Sequence, residues 1–279
     1  MALFLAKRKL EGVDAVFLPV DHEYYEQVSD AVMRVLKGHA DVFEQVGIDE
    51  AYLDVTGKLR GNIEASRNLV EKMKADVKSQ VGVTFSVGIG PNKLVAKIAA
   101  DVQKPDGCTL VRSEDVQSFL SPLPVDRLLG VGRKIASKMA ALGIRTIGDL
   151  AKCDVQKLVD VYGRSLGVYF HNAANGVDNE PVQEAGEFES VSRIGTLKEN
   201  TRDLALILEK TEELIEDVQK ELVQRNVSFR QVGIIAVFSD LSVRCRSLKL
   251  AQPTTEQETL KRIIGELFEK LLDDSKLEM

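Results

Sequence analysis

Tryptophan is absent from this 279-residue chain, aromatic residues make up only 5% of it, and cysteine occurs three times. Cys108, Cys153 and Cys245 are far apart, odd in number and without metal-ligand spacing, which predicts a reducing, cytoplasmic setting rather than a disulfide framework. Histidine is equally sparse, and His22, His39 and His171 form no ligand set. No apolar run approaches the roughly 20 residues that a membrane helix needs, so no membrane partner is expected. The opening Met1-Ala2-Leu3-Phe4-Leu5-Ala6 is too short for the core of a secretory signal, and it precedes Lys7-Arg8-Lys9 rather than following a basic stretch. Excess positive charge is lacking too. Lys and Arg number 37 against 43 Asp and Glu, a net charge of −6, so any surface that attracts a polyanion must be local. Internal repeats and low-complexity tracts are also missing.

What remains is a soluble, globular composition, 44% hydrophobic and 29% charged, with length enough for two or three cores. Residues 1–10 read as the end of a helix, and Ala15 to Val20 as a short strand stopped at Pro19. Tyr24, Val28, Ala31, Val32, Val35 and Leu36 share one helical face behind a candidate N-cap, Asp21. Ile63, Leu69, Val70, Met73 and Val77 predict a second helix over 62–80, followed by a strand over 83–90 and a helix from Asn92 to about Gln103. Strands and helices thus interleave over 1–112. Residues 113–176 hold short helices and glycines without a convincing strand. Gly176 to Phe188 is polar and acidic, the best linker candidate. From 189 onward the pattern is strand, helix (203–224), two strands (230–238 and 242–250) and helix (255–272), the β-α-β-β-α order of a ferredoxin-like unit without its last strand.

Four stretches carry candidate chemistry. In Gly47-Ile48-Asp49-Glu50-Ala51-Tyr52-Leu53-Asp54-Val55, two adjacent carboxylates interrupt strand-like sequence. Strand neighbours point to opposite faces, so Asp49 and Glu50 share a ligand only at a strand end or turn. Oxygen donors held that close suit Mg²⁺, which compensates their mutual repulsion; a solvated acidic turn is the alternative. Ser86 to Asp101 reads as strand, turn and helix, with Leu94, Val95, Ile98 and Val102 as the buried stripe and Lys93 and Lys97 on a different face. Lys104-Pro105-Asp106-Gly107 then presents Lys104 on a loop, available to a phosphate or simply to solvent. In Leu129-Gly130-Val131-Gly132, the glycines Gly130 and Gly132 permit a tight turn whose N–H groups, with the next helix N-terminus, can cradle a phosphate. Ile135, Met139 and Leu142 are expected to pack inward there, leaving Arg133, Lys134 and Lys138 to solvent or a nucleic-acid backbone. Near the C-terminus Arg244 and Arg246 share one strand face, with Arg193 and Arg230 on or beside other predicted strands.

Taken in order, these stretches resemble the Y-family, lesion-bypass DNA polymerases, and within them the DNA polymerase IV branch. Ile48 to Asp54, Ser86 to Asp101 with Lys104 to Gly107, the Gly130/Gly132 hairpin, Asn172 to Asp178 and Arg244-Cys245-Arg246 all carry the resemblance. It implies an α+β multidomain fold: partial fingers and palm over 1–112, a helical helix-hairpin-helix thumb over 113–178, a linker over 179–186, and a ferredoxin-like little finger over 187–279. By resemblance Asp49 and Glu50 are catalytic, metal-binding carboxylates of a two-Mg²⁺ site, Lys104 contacts the incoming triphosphate, and Gly130, Gly132, Arg133, Lys134, Lys138, Arg193, Arg244 and Arg246 grip DNA. The implied partners are primer-template DNA, deoxynucleoside triphosphates and a sliding clamp, acting on a monomer in translesion synthesis. The family's first palm strand, with its Asp-x-Asp-like stretch, has no counterpart here, and Gly47 stands where Ser is usual. The chain is therefore expected to be a fragment cut at both ends and impaired in synthesis. A non-catalytic DNA-binding fragment is the alternative; a nucleotide cyclase would leave the glycine hairpin and the C-terminal unit unexplained.

Overall fold

The computed structural model describes residues 3–184, 186 and 190–274, and the chain divides into two compact units, Met1–Gly186 and Glu187–Met279. In the first unit, α1 (Leu3–Lys9) buries no residue, and residues 14–21 have no regular structure. The strand expected over Ala15–Val20 does not form: Val16 and Leu18 are each 81% exposed, and no ladder partner exists for them among the described residues. A strand owes its stability to a partner, and Pro19 has no N–H to offer one. Helix α2 (His22–His39) starts as expected at Asp21, whose carboxylate accepts from the Tyr24 N–H at 3.0 Å. Strands β1 (Val42–Gln45) and β2 (Ala51–Asp54) make an antiparallel hairpin with Glu44 opposite Tyr52. After the short α3 (Thr56–Leu59), α4 (Ser66–Gln80) packs Val70, Met73 and Val77 against Met33 and Leu36 of α2, with Phe43, Ala51 and Leu53 of the hairpin around them.

The expected strand over 83–90 shortens to β3 (Val87–Ile89), which pairs in parallel with β4 (Cys108–Leu110). The crossover between them is α5 (Lys93–Val102), capped by the Asn92 side chain on the Val95 N–H. Its buried stripe is Leu94, Val95, Ile98 and Ala99; Val102, expected in that stripe, is half exposed because the helix ends there. Five helices follow: α6 (Val116–Leu120), α7 (Arg133–Ala141), α8 (Ile147–Ala151), α9 (Val155–Tyr162) and α10 (Arg164–Ala174). They share one core with α5, in which Leu120, Met139, Ile147, Leu150, Leu158 and Phe170 are fully buried. Ile135 and Met139 pack inward as expected. Leu142 is half exposed instead, because the chain turns at Gly143 (φ +81°) and sends Ile144 into the core.

Beyond α10 the chain runs back across α5 and the hairpin. Asp178 accepts from the Leu94 N–H at 3.0 Å, and the Asn92 side chain donates to the Gly176 carbonyl at 2.8 Å. Lys93, the first residue of α5, bonds both oxygens of Glu44 at 3.0 and 3.1 Å, and the Gln183 N–H donates to the same carboxylate. Only 12% and 14% of the two side chains remain exposed, and the Lys93 ammonium also lies 5.3 Å from the Tyr52 ring centroid.

In the second unit, α11 (Leu204–Gln224), β5 (Phe229–Val237), β6 (Val243–Thr254) and α12 (Gln257–Asp273) match the expected elements closely. The two strands are antiparallel, and Val232, Ile234 and Ala236 face a core built with Ile207, Ile215, Ile263, Leu267 and Leu271 of the helices. The preceding strand is not present over 190–202, where Ile194 is 93% exposed; residues 187–189 lie outside the described residues. No described helix is long and apolar enough to cross a membrane.

Two measurements test these packing arguments. Lys93→Met strands a nearly buried Glu44 carboxylate and is expected to cost about 3 kcal/mol in denaturant unfolding of the first unit, most of it recovered in the Lys93→Met, Glu44→Leu double variant. Equal losses in the single and double variants would contradict this. At α8, Asp149 and Thr146 form a capping box, and hydrogen bonds from the Thr146 and Arg145 N–H groups hold the Asp149 carboxyl below its ordinary pKa. A lowered folded-state pKa contributes stability that is present above the unfolded value and is lost as pH falls through the folded one. Thermal melts should therefore show acid destabilisation in that window, and Asp149→Asn should flatten it.

Candidate functional site

The carboxylates sit where the hairpin geometry demands. The N–H groups of Val46 and Gly47 both donate to the Glu50 carbonyl, at 3.0 and 3.2 Å, closing the turn so that Asp49 lies within it and Glu50 immediately precedes β2. The Ser29 hydroxyl of α2 donates to the Ile48 carbonyl and pins the turn from behind. Asp49 is exposed and Glu50 half buried. At a strand end the strict alternation that sends neighbouring side chains to opposite faces does not bind the pair.

One face of α5 lies along this hairpin at helical spacing. Lys93 meets Glu44, and Lys97, one turn later, forms an ion pair with Glu50. A further turn on, Asp101 pairs with Lys104 at 2.7 Å. That bond raises the Lys104 pKa, and the charges of Glu50 and Asp49 raise it further. The fold thus gathers Asp49, Glu50, Lys97, Asp101 and Lys104, and the sequence motifs point to three of them as site residues: Asp49, Glu50 and Lys104. Lys97 is legible in the sequence only as the i+4 partner of Lys93. Beside this row opens a cleft of about 700 Å³, lined among others by Glu44, Glu50, Tyr52, Lys97, Tyr169 and Asp178. Burial, and then the neighbouring acids, raise the Tyr52 and Tyr169 pKa values, so both phenols remain protonated donors at neutral pH.

Two adjacent carboxylates fit a single Mg²⁺, which usually takes one or two protein carboxylates and fills its octahedron with water and substrate phosphates. Among the described residues no group of three or more His, Cys, Asp or Glu is placed to hold a metal.

The glycine hairpin takes the form expected of it. Gly130 has φ +80°, the left-handed region, and Gly132 is the N-cap of α7 without any side-chain cap, which leaves the first-turn N–H groups facing outward. The Tyr169 hydroxyl donates to the Leu129 carbonyl at 3.0 Å and holds the loop to α10. Arg133 and Lys134 are exposed. Lys138 is less available than expected: its ammonium donates to the Val161 carbonyl at 2.9 Å and lies 5.0 Å from the Tyr162 ring centroid, tying α7 to α9.

In the second unit Arg244 and Arg246 share a face, as strand alternation requires, and it is the helix-covered face: they stand opposite Ala236 and Ile234. Arg246 bonds the Asp274 carboxylate at 2.6 Å and Arg244 donates to the Asp274 carbonyl at 3.0 Å, at the C-terminal end of α12, where cations are favoured. Arg193 pairs with Glu221, and Arg230 donates to the Leu250 and Ala251 carbonyls.

Comparison with known proteins agrees along the chain. Residues 1–101 match the impB/mucB/samB family, residues 189–278 its C-terminal domain, and residues 126–178 the thumb domain of DNA polymerase iota. A DNA polymerase IV of Nitrosopumilus maritimus is 39% identical over 272 residues, covering 98% of this chain and 75% of that protein. A chimeric Y-family DNA polymerase of Dbh and Dpo4 superposes with a TM-score of 0.89 at 30% identity, covering all of this chain and 80% of that one. The insertion ternary complex of Dbh DNA polymerase matches with a TM-score of 0.69 at 29% identity, again over all of this chain and 80% of the other. With the carboxylate hairpin, the glycine hairpin and the C-terminal unit all matched in order, the chain belongs to the DNA polymerase IV branch of the Y-family DNA polymerases.

Proposed function

We propose that this chain binds primer-template DNA and a deoxynucleoside triphosphate and carries the nucleotidyl-transfer residues of a translesion polymerase in the cytoplasm. The observation that supports this reading is that Lys104, paired with Asp101, feels the charges of Glu50 and Asp49: a lysine able to meet a phosphate lies near an acidic pair able to take a cation. In this reading residues 1–112 are palm and fingers, 113–178 the thumb, 179–186 a linker and 187–279 the little finger. Asp49 and Glu50 would hold Mg²⁺, which when bound supplies positive charge to the phosphate oxygens and makes the primer hydroxyl more acidic. Lys104 neutralises triphosphate charge as a point cation, and its pairing with Asp101 holds it near the carboxylates until substrate arrives. The uncapped N–H groups after Gly132, with Arg133 and Lys134, grip a phosphate of the duplex without reading bases. Lys138, Arg193, Arg244 and Arg246 are secondary contacts, since each already bonds within the fold.

With a pair of adjacent carboxylates holding the cation, Mg²⁺ binding is expected to be weak and nucleotide addition slow. Primer extension with labelled primer-template and Mg²⁺ tests this. Weak extension is expected, abolished by Asp49→Ala with DNA affinity retained; extension that survives Asp49→Ala would overturn the assignment. Binding without any extension would instead favour a DNA-gripping fragment. Arg133→Ala with Lys134→Ala should weaken binding to all sequences alike and reduce the slope of log affinity against log salt by about 0.9 for each phosphate no longer neutralised. An unchanged slope would remove the glycine hairpin from the interface.

A further inference from the structure

The Lys97–Glu50 pair lies inside the site but has no part in the chemistry just assigned. We propose that Lys97 is a resident counter-cation for the carboxylate hairpin, occupying Glu50 until a divalent ion displaces it. The inference rests on the reading of Asp49 and Glu50 as the metal-binding pair. Three observations support it. First, Lys97 reaches Glu50 itself, across 47 residues of sequence, so the contact is a tertiary one and not a local helix pair. Second, the lysines of the row differ in how firmly they are held. Lys93 is 12% exposed and bonds Glu44, Pro181 and the Tyr52 ring face, whereas Lys97 is 28% exposed on a partner that is 43% exposed. Lys93 is built in, and Lys97 is placed to leave. Third, Asp49, Glu50 and Asp101 carry three negative charges against the two positive charges of Lys97 and Lys104. Without Lys97 the hairpin would hold adjacent like charges with little compensation, and their repulsion would push the two side chains apart.

The same charge opposes an incoming cation. An ammonium on Glu50 blocks one ligand oxygen and repels a divalent ion at Asp49, so entry of the ion requires the lysine's flexible four-carbon stem to swing away. The cleft beside it, which Lys97 lines, gives it somewhere to go. Metal affinity is thereby lowered, and the carboxylates remain ordered and compensated in the absence of metal.

The experiment is a titration of the full 279-residue chain with Mn²⁺, read by the electron paramagnetic resonance signal of the free ion and without DNA or nucleotide. Lys97→Met should bind Mn²⁺ about two- to fivefold more tightly than the unaltered chain, the worth of a partly exposed ion pair, and Lys97→Arg should bind as the unaltered chain does. Lys104→Met, which removes an equal charge paired to Asp101, should tighten binding less. In parallel, Mg²⁺ should raise the melting temperature of Lys97→Met more than that of the unaltered chain. Should Lys97→Met fail to fold by circular dichroism, Lys97→Gln takes its place. If binding is insensitive to Glu50→Gln in every background, the metal-site reading itself is wrong. If binding depends on Glu50 but Lys97→Met leaves it unchanged or weaker, the counter-cation proposal alone is overturned. Equal tightening by Lys104→Met would also overturn it, because a diffuse field rather than exchange at Glu50 would then set the affinity.

Discussion

The first unit depends on α5 having two faces. Leu94, Val95, Ile98 and Ala99 are buried in the core that α6 to α10 complete, while Lys93 and Lys97 point the opposite way onto the carboxylate hairpin. A helical period of 3.6 residues makes this division automatic once the apolar stripe is buried. Burial of the stripe sets the rotation of the helix, and the rotation decides which acids the lysines meet. The chemistry of the site is in this sense a consequence of packing on the other side of one helix.

The segment after α10 adds a second constraint on the same helix. Asp178 at the Leu94 N–H, Asn92 at the Gly176 carbonyl and Gln183 at Glu44 fasten polar chain that composition alone marks as a linker. A carboxylate at a helix N-terminus is favoured by the dipole as well as by the hydrogen bond. Lys93 then closes the arrangement, since its pairing with Glu44 joins helix, hairpin and returning strap in a nearly buried cluster. Exposure grades along the row from Lys93 to Lys104, from a structural tie to a side chain open to ligand. Rigid support at one end and freedom at the other is the arrangement a binding site needs.

Much of the fold is legible in the residues. The apolar periods of α2, α4, α5, α11 and α12 place those helices to within a few residues, and the cap at Asp21 is readable as such. Strands are harder to read. Ala15 to Val20 has strand-like composition and no ladder, the expected strand over 83–90 keeps only its last part, and residues 190–202 form none. Helix hydrogen bonds close within four residues, whereas a strand exists only if another segment pairs with it, and local sequence does not report that. Helix ends mislead for a related reason: Val102 and Leu142 fit their stripes by spacing, but both lie where the helix stops and the chain turns away.

By itself the sequence determined the phase of each helix, the turn that sets Asp49 beside Glu50, the glycine turn at 130–132 and the order of motifs that marks the family, because each follows from local backbone geometry or from residue identity. Only the tertiary structure decided which charges meet. It placed Lys97 on Glu50, Lys93 on Glu44 and Lys138 on the Val161 carbonyl, and it turned Arg244 and Arg246 toward the end of α12. An ion pair is a matter of a few ångströms between side chains tens of residues apart, and those distances are set by how apolar stripes pack, not by the charged residues themselves.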